Sequence, residues 1–302
     1  MVACSDKDGE AVTRASSAFH INGYDDHVKM LAREDLDAVV VATPVTTHKQ
    51  IVLDCLEAGC DVLCEKPLDV SVDYAEAMAK AAERAGRILM VGHVFLYNGG
   101  ILSLKDLIDS GELGDIHYVY ARRTNLGPVR YDVGALADLA THDISIINHL
   151  LNDWNPKIGS AFREAITSDE REDVAFFTMS YYDHTFAHVH VSWLDPVKVR
   201  QITVVGSKKM AVWDDLRPEG PIAIYDQALE LTEDKFEIGS FATFKLKEHH
   251  GGVVIPATRN GEPLKNQAKA FVHSVRTREA PLSDAETGVA MARTLQAIRS
   301  KR

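Results

Sequence analysis

Asp61-Val62-Leu63-Cys64-Glu65-Lys66-Pro67 is a short apolar run that stops on an acid, a base and a proline. It reads as a strand, and strands and helices alternate around it in a short period. Upstream, Asp37–Ala42 (DAVVVA) is a continuous apolar run, as expected of a strand buried on both faces. Between the two runs, Thr47-His48-Lys49-Gln50 fits a capping box with Thr47 at the N-cap and Gln50 at N3. The predicted helix runs through Ile51, Val52, Cys55 and Leu56 and stops at Gly59. Nearer the start, Val2–Cys4 reads as the end of a strand, and Glu10–Ala18 and His27–Arg33 as helices. Downstream, Ser71 caps a helix that ends at Gly86, and Arg87–Val91 is a further strand. This βαβαβ rhythm predicts a parallel, doubly wound sheet. Ligands of such sheets bind beyond the carboxyl ends of the strands, which is where Lys66 lies.

After Gly92 the texture changes. A helix at about Ile101–Ser110 is followed by longer strands rich in β-branched and aromatic residues, clearest at Ile116–Asn125, Val174–Asp183, Thr185–Leu194 and Val199–Val205. Tyr182-Asp183-His184 is a plausible turn between two of them. In His188–Trp193, Val189, Val191 and Trp193 alternate with His188, His190 and Ser192, the pattern of an antiparallel strand with one wetter face. A helix at about Gly134–Leu151 interrupts the strands, and two more, Asn266–Arg276 and Asp284–Arg299, close the chain. Asn98-Gly99-Gly100 breaks the earlier pattern. The domains are therefore expected at 1–94 (parallel sheet) and 95–302 (α+β, with a large, mostly antiparallel open sheet).

A formal net charge of −11 over 302 residues argues against a nucleic-acid surface, which needs a basic face. No apolar run approaches the ~18 residues of a membrane span, and Met1-Val2-Ala3-Cys4-Ser5-Asp6-Lys7 has no basic and apolar leader pattern, so a cytoplasmic protein is expected. Cys4, Cys55, Cys60 and Cys64 form no CxxC and join no histidine in a metal pattern. Reduced, buried thiols are expected, and no metal.

Asp138 and His142 sit four apart on a predicted helix and so share one face. An aspartate beside a histidine fixes its tautomer and stabilises the imidazolium. A histidine can take a hydroxyl proton, and a lysine charge near the same oxygen lowers the cost of a developing alkoxide. These are the parts of an alcohol oxidation in which hydride leaves the carbon. Alone, an Asp-x-x-x-His pair is most often a surface helix contact, and exposed lysines are common.

The combination resembles the glucose-fructose oxidoreductase / inositol dehydrogenase / MocA-like (Gfo/Idh/MocA) family. The residues that carry the likeness are Ala42-Thr43-Pro44-x-x-x-His48, Cys64-Glu65-Lys66-Pro67-Leu68, Gly92-His93-x-Phe95 and Asp138-x-x-x-His142-Asp143-Ile144. The resemblance implies a Rossmann-type first domain and an NAD(P)-dependent oxidoreductase. In it, Lys66 contacts the nicotinamide ribose and the reacting hydroxyl, His142 is the general acid/base, and Asp138 is its helper. Thr43, Pro44 and His48 line the cofactor cleft, Glu65 touches the nicotinamide side, and His93 makes a polar cofactor contact. From the residues alone, Thr43-Pro44 is also a strand-ending turn, and His48 is also a first-turn helix residue facing solvent. Gly92-His93-Val94-Phe95-Leu96-Tyr97-Asn98, Arg123-Thr124-Asn125-Leu126-Gly127 and Ser192-Trp193-Leu194-Asp195-Pro196 resemble the branch acting on nucleotide sugars, for example at carbon 3 of a UDP-N-acetylhexosamine or uronic acid. That branch makes Tyr97, Asn98, Arg123, Asn125 and Arg130 candidate substrate contacts, an arginine being able to fork onto a carboxylate or phosphate. Surface or strand-face arginines without a ligand are the plainer reading of Arg123 and Arg130. A cyclitol (inositol-type) dehydrogenase is the alternative substrate reading, and a non-catalytic sugar- or protein-binding relic the alternative of another class. The family also implies a homodimer or homotetramer formed through the open sheet face.

The sequence departs from the family in one large respect: no Gly-x-Gly-x-x-Gly occurs in it. That turn follows the first strand, and the ribose-binding acid lies about 20 residues further on. Asp6 reads as that acid and suggests NAD rather than NADP, with Lys7 beside it weakening the distinction. The expectation is a shortened version of a longer enzyme, lacking the first strand, the glycine loop and the first helix, roughly thirty residues. The rival is a natural variant that no longer binds NAD. Ser145, where many relatives carry aspartate, is a smaller departure.

Overall fold

The computed structural model describes residues 1–130, 132–168, 170–231 and 246–301. The chain forms two compact units, Met1–Gly92 with Ala268–Ala292, and His93–Gln267 with Arg293–Arg302. The return of 268–292 to the first unit has no counterpart in a single boundary drawn along the chain.

The first unit runs β1 (Ala3–Ser5), α1 (Gly9–Phe19), β2 (Asn22–Tyr24), α2 (His27–Arg33), β3 (Ala38–Val41), α3 (Val45–Glu57), β4 (Asp61–Cys64), α4 (Val72–Ala85) and β5 (Leu89–Val91). Every ladder in it is parallel. Asp8 and Asp26 cap α1 and α2, their side chains accepting from the Glu10 and Val28 amides. α3 starts three residues earlier than the capping box predicts. Pro44, with φ near −58°, holds the N-cap position, and a proline at a helix start is pre-set for it. Thr47 therefore lies inside the first turn, and its hydroxyl donates back to the Pro44 carbonyl at 2.7 Å. Gly59 and Gly86, both at positive φ, end α3 and α4 as expected.

β3 departs from its expectation. The parallel strands form a two-stranded sheet, β1-β2, and a three-stranded sheet, β3-β4-β5. Among the described residues no ladder joins β1 to β3, so each pairs along one edge only. A strand is buried on both faces only where packed neighbours extend beyond both its edges; here Val40 is 61% exposed and α1 buries none of its residues. β4, paired on both sides, is buried along its whole length. Around it pack Val41, Val52, Leu56, Leu68, Met78 and Val91. Cys55, Cys60 and Cys64 belong to the same core, and all four cysteines are free. Burial pushes the Cys55 thiol up to about 12 and the Cys64 thiol well above its usual value.

The returning segment lies between α7 (Pro263–Thr277) and α8 (Ala285–Ser300). Arg278 donates to the buried Asp61 carboxylate at 2.6 Å and to the Gly86 carbonyl at 2.7 Å. Asp61 in turn accepts from the Ile88 amide, and the Ser283 hydroxyl donates to Val91 O at 2.7 Å.

The second unit opens with a short 3-10 turn at Val94–Tyr97 and α5 (Gly99–Asp109). Asn98 caps α5, accepting from the Gly100 and Ile101 amides, so the polar break in the sequence is a helix start. β6 (Ile116–Leu126) leads to a π-type turn (Leu136–Ala140) and α6 (Thr141–Leu150). Then come β7 (Lys157–Glu164), β8 (Val174–Ser180), β9 (Phe186–Ser192), β10 (Leu194–Gly206), β11 (Met210–Asp214), β12 (Ile222–Leu231) and β13 (Leu246–Val254). They make one eight-stranded sheet in the order β13-β12-β11-β10-β6-β9-β8-β7, antiparallel except for β6 with β9. Val119, Ala121, Val189, Val191 and Trp193 are buried on one face. The other face carries stacked cross-strand pairs: Tyr118 on Phe186, Tyr120 on His188 and Phe176 on His190. Ser192 leaves the expected alternation; it is 5% exposed and accepts from the Leu194 amide. Among the described residues, no helix is long and apolar enough to cross a membrane.

Removing Arg278 strands a buried carboxylate. Arg278→Ala should lower stability by about 1–3 kcal/mol, read as a lower melting temperature; an unchanged melt would show that Asp61 is held by the Ile88 amide alone.

Candidate active site

The carboxyl ends of the parallel strands carry the first set of polar residues. Asp6 follows β1, is exposed, and accepts from the Asp8 amide at 2.9 Å. Thr43 and Pro44 follow β3 and are exposed. Glu65 and Lys66 follow β4 and are half-buried. The Glu65 amide donates to Val41 O and the Gly92 amide to Cys64 O, so the strand ends stay bonded up to the turn. Gly92 is required by closeness: a Cβ there would lie 2.9 Å from Glu65 Oε2 and 3.0 Å from Glu65 Cα.

His48 is neither a solvent-facing helix residue nor a cleft-surface residue. It is 1% exposed, with Nε2 2.8 Å from Thr43 O and Nδ1 3.1 Å from Pro67 O and 3.2 Å from Leu68 O. It braces the turn after β3 against the turn that carries Lys66, from below. The spacing of Thr43 and His48 does not signal this, because two of the three carbonyls it meets, Pro67 O and Leu68 O, come from a different turn.

The second unit holds the other set. His142 is the second residue of α6, and Asp138 lies in the π-type turn before it. A π turn closes i to i+5, so the helix expected over Gly134–Leu151 is not regular through Asp138. Asp138 is engaged by Arg130, whose Nη1 lies 3.0 Å from Asp138 Oδ1, while Nε and Nη2 of the same guanidinium reach Asp132 at 2.9 and 2.6 Å. The His142 ring meets Phe95 edge-to-face, with centroids 5.0 Å apart. His93 is fully buried beside Trp154, with ring centroids 6.4 Å apart.

The expected substrate contacts are largely built into the protein. Arg123 is corrected most clearly. It is 2% exposed and forks onto the buried Asp143 with three hydrogen bonds of 2.9–3.1 Å, so its guanidinium faces protein. Burial pushes the Asp143 carboxyl up, and the Arg123 charge pulls against it. Tyr97 is 7% exposed and its carbonyl accepts from Asn266. The Asn98 side chain is the cap of α5, and the Asn125 amide donates to Gly127 O. No spacing signal marks the Arg123–Asp143 pair, since the two residues lie 20 positions apart on a strand and a helix. Among the described residues, no group of three His, Cys, Asp or Glu side chains is arranged to hold a metal.

These strand ends fit two parts of a dinucleotide. Asp6, after β1, offers a carboxylate to a ribose hydroxyl, and Glu65 and Lys66, after β4, offer an acceptor and a cation. The pyrophosphate is not fitted: the 302 residues contain no glycine-rich turn, and the helix start after β1 carries Asp6 and Asp8, carboxylates that repel phosphate.

Two family models match the chain. One describes an oxidoreductase family with an NAD-binding Rossmann fold and covers residues 1–93; the other is the GFO/IDH/MocA C-terminal domain, over residues 101–212. An inositol 2-dehydrogenase from Rhodococcus erythropolis is 40% identical over 172 residues, which is 54% of this chain and 49% of the relative. The chain thus spans about half the length of the curated relatives it matches. Among solved structures, a UDP-N-acetylglucosamine 3-dehydrogenase from Acidithiobacillus ferrooxidans is similar with a TM-score of 0.81 and 19% identity, over 99% of this chain and 88% of that one. A dehydrogenase from Bordetella pertussis, solved with NADH and UDP-GlcNAcA, is similar with a TM-score of 0.78 and 20% identity, over 99% and 87%. At these identities the two structures share the fold.

The tight approach at Gly92 is testable. Gly92→Ala should displace Glu65 and lower stability by about 1–3 kcal/mol; a thermal melt equal to the parent's would mean that the strand end yields without loss.

Proposed function

We propose that this chain, which belongs to the GFO/IDH/MocA oxidoreductase family, oxidises a secondary hydroxyl of a cyclitol or related neutral polyol by hydride transfer to NAD. The observation that carries this reading is the pair of polar sets on the two units, a half-buried lysine at the end of β4 and a ring-packed histidine on α6. When bound, the nicotinamide ring takes the hydride. In this reading, which the family resemblance supports, His142 would accept the hydroxyl proton and Lys66 would offset developing alkoxide charge. Asp138, bonded to Arg130, would assist His142 as the resemblance implies. Asp6 would hold a ribose through its hydroxyls, which favours NAD over its 2′-phosphorylated form.

The neutral polyol is preferred to a nucleotide sugar on two grounds. Arg123, the cation best suited to a diphosphate or uronate, is closed off by Asp143, and Arg130 is already shared between two carboxylates. The 40% identical relative is named an inositol 2-dehydrogenase. The nucleotide-sugar reading is second, supported by the stretches at 92–98, 123–127 and 192–196.

The test is NADH formation from NAD with myo-inositol and related cyclitols against UDP-sugars. Turnover of UDP-sugars alone would reverse the preference, and turnover of neither class would overturn the reaction. Lys66→Met and His142→Ala should each lower turnover about 10²- to 10⁴-fold with an unchanged melting temperature; a parent-like rate in either would remove that residue's role.

We also propose that the open face of the eight-stranded sheet joins two copies of the chain. Strands about 4.8 Å apart and some seven residues long give eight strands a face on the order of 800–900 Å², what a standard interface takes from each partner. Its aromatic rows are partly exposed, with Phe186 at 48% and Tyr118 at 38%. Burial lowers the pKa of His188 and His190 from 6.5, so both are held neutral on this face. A depressed histidine pKa favours the packed state above the unperturbed value and weakens it as pH falls below 6.5. Sedimentation at about pH 7.5, where both histidines are neutral, should show dimers or tetramers; a monomer would exclude this face as an interface.

A further inference from the structure

We propose that Arg123 is a positioning residue for His142, acting through the ring of Phe95. The proposal rests on the reading of His142 as the acid/base, and it explains a buried ion pair that the reaction itself does not use.

Four side chains of the second unit form a closed circuit. His142 is followed in the chain by Asp143, which is 1% exposed. Asp143 takes Nε and Nη2 of Arg123 at 2.9–3.1 Å. The Arg123 guanidinium carbon lies over the Phe95 ring, 4.5 Å from its centroid. Phe95 in turn meets the His142 ring at 5.0 Å with an interplanar angle of 73°. The circuit thus starts at the backbone of His142 and returns to its imidazole. Trp213 packs edge-to-face on Phe95 at 5.9 Å and keeps that ring from swinging away.

The energetics favour a geometric role over a stabilising one. A buried ion pair contributes little net stability relative to apolar residues of similar shape. It does fix directions: a two-pronged arginine–carboxylate contact has one good geometry, and a guanidinium over a ring face holds that ring by its quadrupole. A second pair lies close by, Arg200 with Asp215 at 3.0 Å, and its charges act on Asp143 with opposite signs. The circuit is therefore an oriented set of contacts that begins and ends at His142. Misplacing a catalytic group by about 1 Å lowers the rate as much as 10²-fold.

The test reads the His142 ring directly. Its Cε1–H proton resonance is assigned by its loss in His142→Ala. Arg123→Met alone leaves Asp143 buried and uncompensated, so the neutral pair Arg123→Met with Asp143→Leu is used, alongside Phe95→Leu and Phe95→Tyr. In the neutral pair and in Phe95→Leu, the His142 resonance should move toward that of exposed histidines, and the ring should react about tenfold faster with diethyl pyrocarbonate. Phe95→Tyr should restore the parent resonance. With substrate, kcat should fall roughly ten- to hundredfold with KM within about twofold. A folded neutral pair with the parent resonance and parent kcat overturns the proposal. Should the neutral pair fail to fold, the contrast between Phe95→Leu and Phe95→Tyr decides it, and identical His142 resonances in those two overturn it. If His142→Ala keeps the parent turnover, the acid/base reading falls, while the circuit is still judged on the resonance.

Discussion

The two-sided pairing of β4 is the constraint on which the first unit depends. It is the one strand there with a strand ladder on each side among the described residues, and it is buried from Asp61 to Cys64. Its amino end holds Arg278, and so ties the returning C-terminal segment to the sheet. Its carboxyl end delivers Glu65 and Lys66 to the surface. Because strand and turn are continuous, the position of the lysine follows from the ladder with β3 and β5. His48 then fixes the turn from below through carbonyl oxygens on both sides of the cleft.

The second unit solves a similar problem with side chains rather than backbone. α6 is almost wholly buried, so His142 has limited freedom to move with its helix. Its ring orientation is left to its neighbours, and these come from a 3-10 turn and a long strand. Two different devices thus hold the two polar groups: backbone hydrogen bonds for Lys66, and an aromatic ring with an ion pair for His142.

Much of the fold was legible because the period of the apolar residues changes where the architecture does. Asp61–Cys64 matches its strand residue for residue, and His27–Arg33 its helix. The alternation of Val189, Val191 and Trp193 placed them on the buried face. The misses have physical reasons. DAVVVA has the composition of a central strand, but composition does not report how many neighbours a strand finds. Gly134–Leu151 reads as one helix because its apolar residues keep coming, yet Leu136–Ala140 is a π turn and the α-helix begins only at Thr141. Asn98-Gly99-Gly100 has the residues of a break and serves as a cap. At the site, Lys66 and His142 carried a signal because each stands in a spaced motif. Arg123 misled because an arginine that forks onto a ligand and one that forks onto Asp143 look alike in a sequence.

The four cysteines make the first unit its own reporter. All lie before residue 65, so the second unit carries no thiol. Cys55, Cys60 and Cys64 line the core behind β4, in the protonated form that burial enforces. Cys4 is half-exposed and labels first; a thiol reagent can reach the other three only when that core opens. The rate at which they are labelled therefore measures the opening of one half of the molecule while the other half stays silent.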